Sequence, residues 1–429
     1  MSKIKTLSPS TDRRWARALG VIALACAGAG AHAATEVQVT TANIIDYEFD
    51  WGRDGVNCPS CNRGAGNSRL AFVDSNKQLW VASVDPATGN FLPANGMGQL
   101  VDSRAAPAPV YLNGPEWVRS ALGSQIVFTR YQPGMIPSNQ SAGLATATDG
   151  GNGTWSVTML DSSLGKVNPM GSTDPTDAQP TLHYQNTSTS YAYSRVENVS
   201  SSELPITVSG QGDASSFRRS VDGMDKIVVS GKASNGYYQI FLYDPVTGVS
   251  EQVTHEKVNL KGAAMWQAPE FNGDYAMVAV QNGVAIVIYR RTANGDGTYT
   301  WNKVIKRQLP TATPYAWSPE FFIHNGKSYV FFQMNTSSNW NDYTKPNLLA
   351  MMGITDDNSQ IQKLVASGAK SRARTDPEYF ITAQGPFIYY NRYAYDGTTL
   401  TSEGIWRVDT GLGPAVAPTV GTNVSKKAK

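Results

Sequence analysis

Four glutamates of this 429-residue chain each follow a proline: Pro115-Glu116, Pro269-Glu270, Pro319-Glu320 and Pro377-Glu378. Carboxyl groups brought together can do acid–base work. One that keeps its proton donates to a leaving group, while an ionised partner serves as base or nucleophile, the arrangement that cleaves glycosidic bonds. Asp376 and Asp177 stand beside this set. Arg130, Arg195 and Arg392 sit at the ends of the predicted second strands, where guanidiniums could alternate with the acids around a polar ligand. Trp117 and Trp317 adjoin two of the glutamates, and aromatic rings beside carboxylates are what sugar recognition uses. A Trp at a fixed repeat position also packs between repeats, so both readings stay open.

Repetition argues for a structural job as well. A residue type in four equivalent places tends to hold the same neighbour in each, a backbone amide or an arginine. Catalysis needs two carboxyls in unlike environments. The glutamates therefore have three candidate roles: structural ties, a ligand-binding ring, or an acid and base pair. An unpaired ring would repel itself, so arginines or a bound cation such as Ca²⁺ must offset it. The arginines can do this alone, so no cofactor and no metal ligands are expected. Three histidines outside the leader, His183, His255 and His324, fall at unrelated repeat positions. There is no Gly-x-Ser-x-Gly elbow and no phosphate loop.

The elements that must position these residues follow from the spacing. Glu270, Glu320 and Glu378 lie 50 and 58 residues apart, and Glu116 to Glu270 spans 154, about three such steps. A period near 50 made of short β-branched and aromatic runs means propeller blades. Examples are Ile126 to Thr129, Tyr275 to Val280, Tyr329 to Phe332 and Phe387 to Tyr390. Asn282-Gly283 and Asn325-Gly326 supply tight hairpins. A second repeated element confirms the array. Strands end in Asp85-Pro86-Ala87-Thr88-Gly89, Asp244-Pro245-Val246-Thr247-Gly248 and Asp409-Thr410-Gly411, the turn between a blade's third and fourth strands.

Registering both elements predicts a single all-β propeller over 66–411, with seven blades; six is the alternative count. The blades run 66–102, 115–160, 178–210, 216–254, 268–308, 318–366 and 376–411. The third carries Gln179-Pro180-Thr181 and the fourth Ser216-Phe217-Arg218 where the others have Pro-Glu. The last blade lacks an outer strand. The N-terminal segment Glu36 to Thr40 can supply it and close the ring. The stretch 34–65 then holds this closing strand and a Cys-containing loop, and 412–429 reads as a disordered tail.

The third-strand pattern with its Asp-Pro-x-Thr-Gly turn resembles the repeats of TolB-like periplasmic β-propellers across most of the chain. Ser318-Pro319-Glu320, followed by His324-Asn325-Gly326-Lys327 and an aromatic strand, is similar to a blade of arabinanase and xylosidase propeller hydrolases. That second resemblance spans one or two blades. It departs from the hydrolase pattern in blade number and in the missing acidic residue at the start of the first blade, so no catalytic roles carry over.

Residues 1–33 read as a secretory leader: Arg13, Arg14 and Arg17, a short apolar run from Val21 to Gly30, then Ala31-His32-Ala33. Arg13-Arg14 also suits twin-arginine export, but Asp12 and Trp15 flank it poorly. Five of the 36 bases and one of the 34 acids leave with it, turning a net +2 into −2. Nucleic-acid binding has no electrostatic footprint in such a chain. No later run is long enough to span a bilayer. Cys58 and Cys61 are then the remaining cysteines; in an oxidising compartment they form a disulfide, with a redox dithiol or a zinc site as the other readings. The expectation is a monomeric periplasmic or secreted scaffold that binds a protein or glycan. The alternative is an enzyme that cleaves polysaccharide with axial carboxylates.

Overall fold

The computed structural model describes residues 34–416, save for 42, 51–67, 94–97, 106–113, 136–137, 139, 152, 173–176, 198, 209–210, 213–217, 222–223, 340–341, 343, 346 and 366–371. The leader, Cys58 with Cys61, and tail residues 417–429 lie outside the described residues. The chain is a seven-bladed β-propeller with 2% helix. Among the described residues no helix is long and apolar enough to cross a membrane.

Each blade is an antiparallel sheet that begins at the axis and runs outward in chain order. The innermost strands, from blade 1 to blade 7, are Ile44–Asp50, Glu116–Ser120, Lys166–Gly171, Arg218–Val221, Leu260–Gln267, Tyr315–His324 and Arg372–Thr382. Blade 1 thus starts at Ile44, not at 66. Its inner strand pairs with Arg69–Asp74. Blades 3 and 5 also start earlier than their turn signals imply, because an inner strand precedes each.

Val37 and Gln38 pair with Arg407 and Trp406, so the N-terminal strand is the outer strand of blade 7. Glu36 clamps this closure. Its carboxylate accepts from Arg374 Nε at 2.7 Å, Arg374 Nη2 at 2.8 Å and the Tyr390 hydroxyl at 2.6 Å. The expected turns are present. Asp85 accepts from the Ala87 amide at 2.9 Å, and Gly89 and Gly248 both take φ +71°, a conformation that glycine adopts without strain.

The core lies between blades. Separate apolar clusters join blades 5, 6 and 7, blades 7 and 1, 1 and 2, 2 and 3, 3 and 4, and 4 and 5, which closes the circle. Trp266 of blade 5 is fully buried and stacks on Phe321 of blade 6 at 4.4 Å. Phe49 of blade 1 stacks on Phe380 of blade 7 at 5.1 Å. The tail continues this packing as far as Val416. Leu412 packs on the blade 5–7 cluster, the Gly413 carbonyl meets His324 Nε2 at 2.9 Å, and the Val416 amide donates to Asn325. Order therefore extends into a segment whose composition reads as a free tail.

Candidate functional site

Inner strands of this ring share a local device. Their pairing with the second strand slips by a bulge, between Val167 and Met170, Lys261 and Ala264, Trp317 and Glu320, and Thr375 and Glu378. One residue in each bulge has positive φ: Asn168 at +58°, Gly262 at +62°, Ser318 at +45° and Asp376 at +54°. A bulge re-aims the side chain that follows it. In blades 6 and 7 the Pro-Glu pair is thus the second half of an X-Pro-Glu bulge that turns a glutamate toward its neighbours on the other inner strands, while Glu116 opens its strand in an unbroken register.

This register corrects the equivalence of the four glutamates. Glu116, Glu320 and Glu378 lie on inner strands. Glu270 does not: Pro269–Phe271 is a single 3₁₀ turn beyond the end of blade 5's inner strand. Its carboxylate accepts from the Ser328 amide and from Ser328 Oγ at 2.8 Å, tying blade 5 to blade 6. The place of Glu320 and Glu378 is taken in blade 5 by Ala264, and in blade 3 by Met170 of Asn168-Pro169-Met170. The sequence carries a usable signal. Gly123 and Gly385 follow their glutamates by seven residues and Gly326 by six, whereas Gly273 follows Glu270 by three, too few for a strand.

Two acids come from a strand that the repeat marks assign to no blade. Asp46 and Glu48 of Ile44–Asp50 mirror Asp376 and Glu378 of the adjacent blade 7. The first blade therefore does open on acidic residues. Blades 6, 7, 1 and 2 together present Glu320, Asp376, Glu378, Asp46, Glu48 and Glu116. Arg219, from blade 4, reaches past blade 5 to pair with Glu320.

The electrostatics of this cluster follow from burial and crowding. The Glu116 carboxyl is raised to about 8, by burial first, with Arg219 opposing and the charges of Asp376 and Glu320 adding to the rise. Asp376 rises to about 6, through burial first and then the charge of Glu320, while its hydrogen bond with Asp46 holds it down. Asp46, the other member of that carboxyl pair, is well above the usual range, through burial and then Asp376. Glu48 and Glu378 are also well above it, through burial first and then neighbouring carboxylates. Like charges in a low-dielectric site cannot all ionise. The Tyr47 hydroxyl donates to the Asp376 carbonyl at 2.9 Å and locks the two acid strands together. Gly114 leaves room for the Asp46 carboxyl, since a Cβ there would strike it. Among the described residues no group of three or more His, Cys, Asp or Glu is disposed to hold a metal ion.

The expected arginines are elsewhere. Arg130 pairs with Asp102 at 2.8 Å, Arg195 with Asp161, and Arg392 with Glu403 at 2.7 Å, each within or beside its own blade. Arg195 lies on the third strand of its blade, not the second. Arg219, which no repeat marks, is the guanidinium at the cluster. Trp117 is 5% exposed and packs between blades 1 and 2, donating from its indole to the Glu48 carbonyl at 3.0 Å. Trp317 is half-buried beside Tyr315, ring centroids 6.2 Å apart.

No protein-family model matches this chain, and no curated protein matches it. Solved structures resemble it at the level of architecture. The β-propeller domain of Myceliophteria thermophila Cps50 (Swd1) is 9% identical, with 87% of this chain and 97% of that chain covered and a TM-score of 0.46. A putative 6-phosphogluconolactonase from Bacteroides fragilis is 11% identical over 78% of this chain and 94% of its own, with a TM-score of 0.45. A putative TolB from Agrobacterium tumefaciens is 14% identical over 58% and 79%, with a TM-score of 0.34. These likenesses are of propeller form and give no residue-level correspondence.

Proposed function

We propose that this chain is an exported β-propeller that binds a glycan at the axial carboxyl cluster. The supporting observation is that six carboxyls and one guanidinium from five blades act on one another there. A purely structural network would give each buried acid its own partner, as Ser328 does for Glu270. The axial acids instead share Arg219, at a cost in desolvation that packing alone does not require. Carboxyls that keep their protons donate hydrogen bonds, and ionised ones accept them. A ligand rich in hydroxyls meets both needs.

Cleavage of a polysaccharide is the second reading, favoured by the unlike environments of Glu116 and Glu320. Glu116 holds its proton to about 8 and suits a general acid. Glu320, ion-paired with Arg219, suits the ionised partner. Glu270 has no part in either reading.

A glycan array probed with the chain from Ala34 tests binding, with Glu320→Gln as the comparison. Retention of a set of glycans that the variant loses supports the proposal; an array with no retained glycan overturns it. Release of reducing ends that stops in Glu116→Gln moves the assignment to cleavage.

A further inference from the structure

The charge balance of the axial cluster bears on what its ligand carries. Arg219 is engaged by Glu320, which leaves five carboxyls without an ion pair among the described residues. A separate observation concerns Glu378. It is 7% exposed, and its carboxyl takes no hydrogen bond and no ion pair among the described residues. The charges acting on it are Glu320, Glu48, Asp376 and, in opposition, Arg219, so it is turned into the cluster. Solvent reaches the same cluster, because the side chains of Arg219 and Glu320 are 25% and 12% exposed. A buried carboxyl with no donor among the described residues, below a rim that solvent reaches, is a place for a donor from outside.

A sugar hydroxyl would give Glu378 one hydrogen bond but no charge to stabilise its ionised form. An ammonium group gives three donors and a positive charge in the volume of a hydroxyl. Among the described residues no group of three or more His, Cys, Asp or Glu could hold a metal ion, whereas an ammonium can be held by separate carboxylates through its own donors. We propose that the group seated against Glu378 is a primary ammonium, and that the ligand is an amine-bearing saccharide. This rests on the glycan reading above. Entry of the cation favours the ionised carboxyls, so protons leave as it binds.

The test uses glucosamine oligomers, the same oligomers N-acetylated, and spermidine, titrated calorimetrically into the chain from Ala34. Two buffers of different ionisation enthalpy read proton release. Glucosamine oligomers should bind at least about tenfold more tightly than their acetylated forms, a gap of about 1.4 kcal/mol, with buffer-dependent heat. Glu378→Gln should remove that gap, while Glu270→Gln, outside the cluster, should keep it. If Glu378→Gln does not fold, Glu48→Gln takes its place. Equal affinity for free and acetylated oligomers overturns the ammonium assignment and leaves the glycan reading standing. Binding of spermidine alone, lost in Glu378→Gln, supports the ammonium and overturns the glycan. No binding of any of the three overturns the ammonium.

Discussion

Arg219 and Glu320 form an ion pair although 101 positions separate them and blade 5 stands between their blades. Blade 5 permits the reach because small residues, Gly262, Ala263 and Ala264, occupy the bulge where blades 6 and 7 carry Pro-Glu. The pair makes the carboxyls unlike: Glu320 has a cation, while Glu116, Glu48 and Glu378 are crowded by like charge. This is the asymmetry that four repeated glutamates could not supply.

Stability should fall as pH rises. The unfolded chain releases its glutamate protons near 4.5, but folded Glu116 holds its proton to about 8 and Asp376 to about 6. The folded state thus binds more protons between those values, and its advantage is lost as pH climbs through them. The thermal midpoint should drop between pH 5 and pH 8. Glu116→Gln should flatten the drop and raise stability at pH 8 by a few kcal/mol, since each pH unit between the folded and unfolded pKa is worth about 1.4 kcal/mol. A midpoint that rises over this range contradicts the assignment.

Ring closure should depend on Arg374. Removing it strands the Glu36 carboxylate and a carbonyl, that of Asn347, which Arg374 Nη1 reaches at 2.7 Å. Arg374→Ala should cost about 3–5 kcal/mol, the range for breaking a buried pair. Glu36 is held below the ordinary carboxyl value by Arg374 and Tyr390, against its burial. The pair's contribution is therefore present above the unfolded pKa and lost as pH falls through the folded one. Urea unfolding of the variant and the parent at pH 7 and pH 3 should show the difference shrinking in acid.

Glu270 should behave as a structural residue. Glu270→Ala leaves the Ser328 amide and hydroxyl without their acceptor, a loss of about 1–3 kcal/mol. Ligand binding by the folded variant should match the parent. A variant of unchanged stability but altered binding would return Glu270 to the site.

Gly114→Ala should disturb the cluster without changing its charge. The new Cβ would press on the Asp46 carboxyl and part it from Asp376. We expect about 1–3 kcal/mol of destabilisation from overpacking, together with a changed pH profile of the midpoint. An unchanged profile would show that the Asp46–Asp376 contact is not what sets it.

The sequence by itself determined the architecture. Period, turn chemistry and the unpaired last blade are local or additive properties, so they point to a propeller of seven or six blades closed by the N-terminal strand, and the structure fixes seven blades and the pairing of Val37 and Gln38 with Arg407 and Trp406. Three of the axial acids and Asp376 were also visible, because a proline at the entry or bulge of an inner strand leaves a mark in the chain. Tertiary structure decided the membership of the site. Asp46 and Glu48 bear no Pro-Glu mark, Arg219 belongs to an unmarked blade, and Glu270 shares the mark while serving a turn. Which strand is innermost depends on pairing across the ring, and which carboxyl meets which guanidinium depends on side chains dozens of residues apart. Spacing along one strand does not carry that information, since the interaction is electrostatic and acts through space.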